Sequence, residues 1–383
     1  MAEEEGTVFC TNCGAENNTK SKFCVKCGQS LVKVSDDGME TKAEQPKSSQ
    51  AAGSIFDSAT SRLNQWTGGT GAVKVSWKDF FSEVFKSHTE EEAEDIFVAG
   101  TKKTTPTLME ISNEKVQPWL FSRILIVIIA AGILLSVMTN LNQNMIGDQV
   151  AVDVITCIAV PMAALVLFFE INIYKNISFY KIGKIMLLGG ILSLVLTVII
   201  DNIVGGSGLN FVGATLTGII EELSKLLIAA YFIQKLKINR IFNGLLIGAA
   251  VGTGFAAFEN IQYMFLDGQL ASMSFALYRT ATSIGTHTEW CAISAAALVI
   301  VKGSQKLTTN MFVNTRFLKF FVLVAAIHML WDWDALGNFG QIRMIILILV
   351  TWITIFVMIH AGLREVKALQ LSVKNDSEVT ERG

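Results

Sequence analysis

Two carboxylates and a lysine stand inside one apolar run, Ile219-Ile220-Glu221-Glu222-Leu223-Ser224-Lys225-Leu226. A charge at the centre of a bilayer costs roughly 3 kcal/mol even on the gentlest insertion scales. Three charges in five residues therefore need partners or work. Lys225 lies four residues after Glu221 and three after Glu222, so on a helix it reaches either carboxylate. Two adjacent carboxylates seldom both ionise, which suits one of them to exchange a proton near neutral pH. A pair that only staples two helices together would need a single Glu.

Three further apolar runs carry a costly group near the same depth. One ends in Phe255-Ala256-Ala257-Phe258-Glu259-Asn260, after glycines that permit close helix approach. The next carries Arg279, Ser283 and His287 at four-residue intervals, with Glu289 and Trp290 just beyond. Arg279, near the outer end, can snorkel to the surface, whereas His287 cannot. The last reads His328-Met329-Leu330-Trp331-Asp332, so Asp332 can orient one imidazole nitrogen from one turn away. Two histidines and three glutamates at similar depth point to one proton-transfer or metal site shared by four spans.

The elements that must position these groups follow from the hydropathy. The chain has 383 residues, 51% hydrophobic, with formal net charge −2 and mean hydropathy +0.46. That average joins a polar stretch, 1–117, to a train of apolar runs, 119–362, so the net charge says little about partners. Eight spans fit near 119–139, 150–171, 184–204, 209–233, 241–266, 275–301, 317–336 and 342–362, each long enough to cross the hydrocarbon as a helix. Lys and Arg cluster after the second, fourth, sixth and eighth, while 140–149, 202–208 and 267–274 have none. The positive-inside rule then puts both termini in the cytoplasm. Met1-Ala2-Glu3-Glu4-Glu5 is acidic with no apolar core behind it, so no signal peptide is expected. The fold expected is an all-α polytopic bundle of about eight transmembrane helices behind a small zinc ribbon and a flexible linker.

Cys10-Thr11-Asn12-Cys13 and Cys24-Val25-Lys26-Cys27 form two CxxC pairs, each followed by a glycine that permits the tight turn of a zinc knuckle. The spacing predicts a structural Zn²⁺ on Cys10, Cys13, Cys24 and Cys27; two disulfides would require secretion. So short a segment takes its folding energy from the metal. Its basic patch, Lys20, Lys22 and Lys26, is too thin to argue for nucleic acid, and a cytoplasmic protein partner is the better expectation. The divisions expected are a ribbon at 1–32, a flexible linker at 33–75, a short amphipathic helical connector at 76–117, the membrane domain at 118–364 and a cytoplasmic tail at 365–383. In the connector, Trp77, Phe80, Phe81, Val84 and Phe85 recur at helical spacing, and Thr89-Glu90-Glu91-Glu92 fits a capping box for a helix through Phe97. His88 reads as a solvent-exposed residue without a role. Asp153 and Glu170 read as span-boundary residues, His360, Trp333 and Asp334 as interfacial ones, and Cys157 and Cys291 as apolar filler.

The motifs EELSK at 221–225, FAAFEN at 255–260, Arg279 with His287, and HMLWD at 328–332 resemble those of the PrsW family of intramembrane proteases, in the family's order. That family is a branch of the clan containing the CAAX prenyl proteases and bacteriocin-processing membrane enzymes. The resemblance covers roughly 119–362 and neither the ribbon nor the linker. It implies a multi-pass protein of a prokaryotic cell membrane that hydrolyses a peptide bond of a membrane-anchored substrate, such as an anti-sigma factor-like regulator. It maps the catalytic glutamates to Glu221 and Glu222, and the further polar positions to Glu259, His287, His328 and Asp332. In the mechanism expected, Glu221 or Glu222 deprotonates a water. His287 and His328 either bind a second Zn²⁺, with Glu259 as third ligand, or hydrogen-bond the oxyanion. Asn260 and Asp332 orient, and Lys225 tunes the glutamate pair. Two other classes fit parts of the pattern: a non-catalytic receptor whose ribbon recruits a partner, and a proton or ion transporter, against which stands the lack of an obvious internal repeat.

Overall fold

Long apolar runs become helices, because in hydrocarbon every backbone N–H and C=O must be satisfied within its own segment. The computed structural model describes residues 7–9, 16–18, 47–141, 146–205, 208–265, 273–334 and 340–381. Two compact units meet between Ala52 and Gly53. In the first, β1 (Thr7–Phe9) pairs antiparallel with β2 (Glu16–Asn18), Val8 opposite Asn17. Cys10, Cys13, Cys24 and Cys27 lie outside the described residues.

The second unit is all helix. It opens with α1 (Lys47–Trp66), whose first residues belong to the first unit, then α2 (Trp77–Phe80) and α3 (Glu90–Phe97). The bundle comprises α4 (Leu120–Leu141), α5 (Ile146–Cys157), α6 (Ala159–Ile171), α7 (Phe179–Val204), α8 (Phe211–Lys235), α9 (Ile241–Met264), α10 (Met273–Thr282) and α11 (His287–Lys302). A short α12 (Thr309–Phe312), then α13 (Thr315–Asp332) and α14 (Gly340–Glu381), complete it. Among the described residues, six helical stretches are long and apolar enough to cross a membrane: 120–139, 149–171, 179–204, 241–264, 273–302 and 340–375. α8 and α13 are of similar length but carry Glu221, Glu222 and Lys225, and Arg316, Lys319 and Asp332, respectively. They occupy the places of the fourth and seventh expected spans. The protein is a multi-pass membrane protein. α4 and α7 turn rows of exposed Ile, Leu and Val outward, among them Ile126, Leu134, Leu187 and Ile191. Contiguous apolar faces of that kind suit lipid rather than water.

The central element is α9, which packs against α6, α7, α8 and α11. Gly244, Gly248 and Gly252 fall on one stripe of α9, and a Cβ at each would strike α11. At Gly252 the clash would be with the carbonyl of His287, 2.3 Å away. This small-residue stripe sets the depth and rotation at which α11 presents His287. On the other side, Gly254 meets Gly190 of α7 backbone to backbone.

Two breaks in the spans matter for the site. Pro161 lacks the N–H that would bond the carbonyl of Cys157 four residues earlier, and the span kinks between α5 and α6. The freed Cys157 carbonyl accepts instead from Asn260 Nδ2 at 2.9 Å. The second break, between α10 and α11, turns through Gly285 at φ +83°, a left-handed conformation that favours glycine.

Several sequence expectations give way to tertiary partners. Residues 47–66 of the expected linker form α1, because that stretch holds no proline and Leu63 and Trp66 find apolar surface to cover. The expected tail continues α14 without a break, with Val366 fully buried and Gln370 bonded to the carbonyls of Leu108 and Ile111. The aromatic run at 77–85 gives only the single turn α2, whereas Thr89 and Glu92 form the capping box of α3 as read. His88 is not idle: it stacks on Trp119 with centroids 3.8 Å apart. Glu170 is no plain boundary residue, since its carboxylate accepts the backbone N–H groups of Trp119, Leu120 and Phe121, each at 2.8 Å, and so caps α4. Asp153 is fully buried and accepts from Gln149.

The α7–α9 contact gives a direct test. A Cβ at Gly254 would lie 2.0 Å from the Met186 carbonyl, while at Gly183 nothing lies within 4 Å. Gly254→Val is expected to destabilise by about 1–3 kcal/mol or more through overpacking. Gly183→Ala should leave the thermal midpoint in detergent unchanged; equal midpoints for the two variants would refute the packing described.

Candidate active site

The carboxylates, imidazoles and lysine expected to converge do converge. α8 supplies Glu221, Glu222 and Lys225, α9 supplies Glu259 and Asn260, α10 Arg279, α11 His287, and α13 His328 and Asp332. Glu222 is the hub. Its Oε1 accepts from Lys225 Nζ at 2.6 Å and lies 2.8 Å from His328 Nδ1. Lys225 Nζ also lies 2.7 Å from His287 Nδ1, 3.9 Å from Glu221 Oε2 and 4.4 Å from the centre of the Phe255 ring. Both Glu222 and Lys225 have fully buried side chains, so the ammonium exchanges its water for a carboxylate, an imidazole nitrogen and an aromatic face.

The hydrogen-bond inventory fixes the proton on His287. An ammonium only donates, so His287 Nδ1 accepts from Lys225 and the N–H sits on Nε2. That Nε2 lies 2.9 Å from Glu259 Oε2, which accepts it. Glu259 is held in turn by Arg279 at 3.2 Å. Arg279 does not snorkel outward: it also donates to Asn260 Oδ1 from Nε and Nη2, at 3.0 and 2.8 Å, and lies over the Tyr263 ring. Asn260 completes the chain by donating to Ser283 Oγ and to the Cys157 carbonyl freed by Pro161. Arg279 and Asn260 thus stand one contact behind the centre and fix Glu259.

Around His328 the arrangement differs. Its Nδ1 donates to Glu222, and its Nε2 faces Asp332 Oδ2 at 3.3 Å and Glu221 Oε2 at 3.7 Å. Neither Glu221 Oε2 nor Glu222 Oε2 has a hydrogen-bond partner. Carboxylate oxygens and an imidazole nitrogen gathered this way are stabilised by a proton or a cation among them. Glu221, His287 and His328 each offer one ligand atom, and the three lie within 4.8 Å of one another. Two imidazoles and a carboxylate are the donor set of a hydrolytic zinc site with a position open for water. His328 and Glu221 fit that role as they stand, with Glu222 bonded behind the imidazole. Both nitrogens of His287 are engaged, so ligation there exchanges the contact to Lys225 or to Glu259. Glu259, expected as the third ligand, lies beside His287 in its ion pair with Arg279 and outside this three-residue set.

Trp290 has the same centre in its grip, and nothing in its residue type announced it. Fully buried, it packs on the His328 ring at 4.7 Å and edge-on to His287 at 5.1 Å, and donates from Nε1 to Thr351 Oγ1 of α14 at 3.1 Å. The available signal was its register, one turn after His287 on the same face. Arg343 of α14, also unflagged, donates to the carbonyls of Trp331 and Trp333 on either side of Asp332. It closes the C-terminus of α13 where unpaired carbonyls gather.

Residues 181–360 match the family model of the PrsW family intramembrane metalloprotease, and residues 9–31 that of a zinc-ribbon domain. The first match takes in every one of these polar side chains and leaves out α4 and the kinked span α5–α6. No curated protein and no solved structure matches the chain.

The wedge formed by Trp290 is testable apart from any substrate. Trp290→Ala is expected to cost about 3–5 kcal/mol and to let the imidazoles drift, raising the reactivity of His287 and His328 toward diethylpyrocarbonate. Trp290→Phe, which loses the bond to Thr351 and part of the indole's volume but keeps an aromatic face, should cost less, about 2 kcal/mol. Denaturant unfolding and mass spectrometry of the modified histidines decide; unchanged reactivity of both in Trp290→Ala would show that the indole does not position the two rings.

Proposed function

We propose that this membrane protein, whose residues 181–360 match the PrsW family model and whose residues 9–31 match that of a zinc ribbon, is a metal-dependent endopeptidase. It hydrolyses a peptide bond of a membrane-anchored protein, and Glu221, His287 and His328 hold the ion. The observation that carries this reading is the convergence of those three side chains, from three helices, within 4.8 Å in an otherwise apolar bundle.

A zinc ion held there supplies a water acidified toward neutrality and a Lewis acid for the scissile carbonyl. The chain's own residues do the rest. Glu222 keeps Oε1 bonded to Lys225 and His328 and has Oε2 free of hydrogen bonds, so it is anchored yet able to accept a proton from water. Its Oε1 also holds the N–H of His328 on Nδ1 and leaves Nε2 to ligate. Lys225 holds Glu222 Oε1 in place and, through its positive charge, opposes the negative charge developing on the carbonyl. Asp332, 3.3 Å from His328 Nε2, lines the ion's position from the next turn of α13, and Glu259, tied to Arg279, steadies His287. Asp332, Arg279 and Glu259 have the more exposed side chains of the group, at 23%, 19% and 14%. We take them to mark the side from which water and the substrate enter, near the chain's outer face if both termini are cytoplasmic. The ribbon, with its zinc on Cys10, Cys13, Cys24 and Cys27, is read as a docking module for a cytoplasmic protein, and a regulator of the anti-sigma type as the substrate class.

The test uses the full-length chain with its four ribbon cysteines changed to serine, so that any remaining metal belongs to the membrane site. About one zinc per chain is expected, and Glu221→Gln, His287→Asn and His328→Asn should each remove it. Glu222→Gln should retain the zinc and lower cleavage of a membrane-anchored reporter by about 10²–10⁴-fold, the usual weight of a general base. No zinc in the parent chain, with reporter cleavage intact, would sink the metal assignment. Zinc lost in Glu222→Gln and kept in Glu221→Gln would exchange the two glutamates' roles.

A further inference from the structure

A second feature of α11 lies away from the carboxylate–imidazole centre. Glu289 follows His287 by two residues, so it leaves the helix about 200° round from it. It lines an apolar cavity of about 330 Å³ walled by Trp77, Phe81, Phe121, Ala164 and Trp352 among others. These walls come from the connector around α2 and from α4, α6 and α14.

Glu289 is 1% exposed. Part of its carboxyl is explained locally, since it faces the backbone N–H groups of Gly285, Thr286 and its own residue at the start of α11. The other oxygen, Oε2, has no hydrogen-bond partner. Leaving a buried acceptor unpaired costs about 1–3 kcal/mol, and nothing in the cavity wall relieves it: no lysine, arginine or histidine lines the space. The complement of such a wall is an apolar body carrying a nitrogen donor. Aromatic faces attract an ammonium group, and a carboxyl oxygen accepts its N–H. An acid would bring acceptors of its own where a donor is lacking, and a plain hydrocarbon would leave Oε2 as it is. The volume is at the lower end of ligand sites and admits one chain or ring system rather than a two-chain lipid.

We propose that this cavity binds a hydrophobic amine, whose nitrogen donates to Glu289 Oε2 while its apolar part packs among Trp77, Phe81, Phe121 and Trp352. Because α11 separates the cavity from the centre, the ligand would touch neither the imidazoles nor the peptide being cut. The site is independent of the peptidase reading.

Dodecylamine is the probe, dodecanoic acid the comparison, and the full-length protein in nanodiscs the sample. Binding is read by calorimetry and by tryptophan emission, with empty nanodiscs giving the partition background. The expected result is saturable amine binding at about one per chain, at least tenfold tighter than the acid. Glu289→Gln should weaken amine binding tenfold or more. Ala164→Phe, which fills the cavity and leaves Glu289 untouched, should abolish it. Amine uptake no greater than in empty nanodiscs, acid binding as tight as amine binding, or wild-type amine binding by Glu289→Gln would each overturn the proposal. If Glu289→Gln does not fold, Ala164→Phe decides alone, and wild-type binding there refutes the site.

Discussion

The interaction on which the rest of the bundle depends is the pair Lys225–Glu222, fully buried and 2.6 Å apart. Two charges removed from water repay their desolvation only if geometry and further hydrogen bonds are good, and deletion of one partner strands the other at a cost of about 3–5 kcal/mol. The ammonium therefore needs His287, and the carboxylate needs His328. Each imidazole comes from a different helix, so the pair sets how α8, α11 and α13 must be rotated. The glycine stripe of α9 and the α10–α11 break serve that demand. So does the kink at Pro161, because the carbonyl it releases anchors Asn260, which anchors Arg279, which anchors Glu259.

Lipid and core divide the bundle between them in a way that follows from the same demand. α9 and α11 have small residues and almost no exposed surface, while α4 and α7 keep large aliphatic side chains on the outside. The polar groups of the site thus lie on helix faces turned toward other helices, where most of them find partners. The two helices that fall short of spans by composition, α8 and α13, are those whose polarity is used.

Much of this was legible without coordinates, for an uneven set of reasons. Glu221, Glu222, Lys225, His287, His328 and Asp332 stood out because each violates the apolar context around it, and a violation needs a cause. The small residues at Gly248, Gly252 and Gly254 were readable as a close helix contact because only size is at issue there. Trp290 could not stand out, since a tryptophan in an apolar run violates nothing; only its neighbours make it part of the centre. Glu170 and Asp153 sit near the ends of an apolar run, where a carboxylate is ordinary, and their helix-capping or buried positions arise from segments distant in sequence. α1 was hidden by composition, because a serine- and alanine-rich stretch beside polar linker residues forms a helix only when a surface is offered to Leu63 and Trp66. Arg279 was misjudged for the opposite reason: its length allows it to reach outward, and Glu259 and Asn260 hold it inward.

The last helix carries a mechanical consequence. α14 runs unbroken for 42 residues, about 63 Å at the rise of an α-helix, roughly twice the hydrocarbon thickness. Arg343 grips the end of α13, Thr351 holds the indole wedged at the two imidazoles, and Arg364 bonds to Asn64 and Thr67 where α1 ends. A helix fastened at three points along its length couples those points to one another. A displacement of α1 would thus be passed by Arg364 to the helix whose Thr351 holds Trp290 against the two imidazoles.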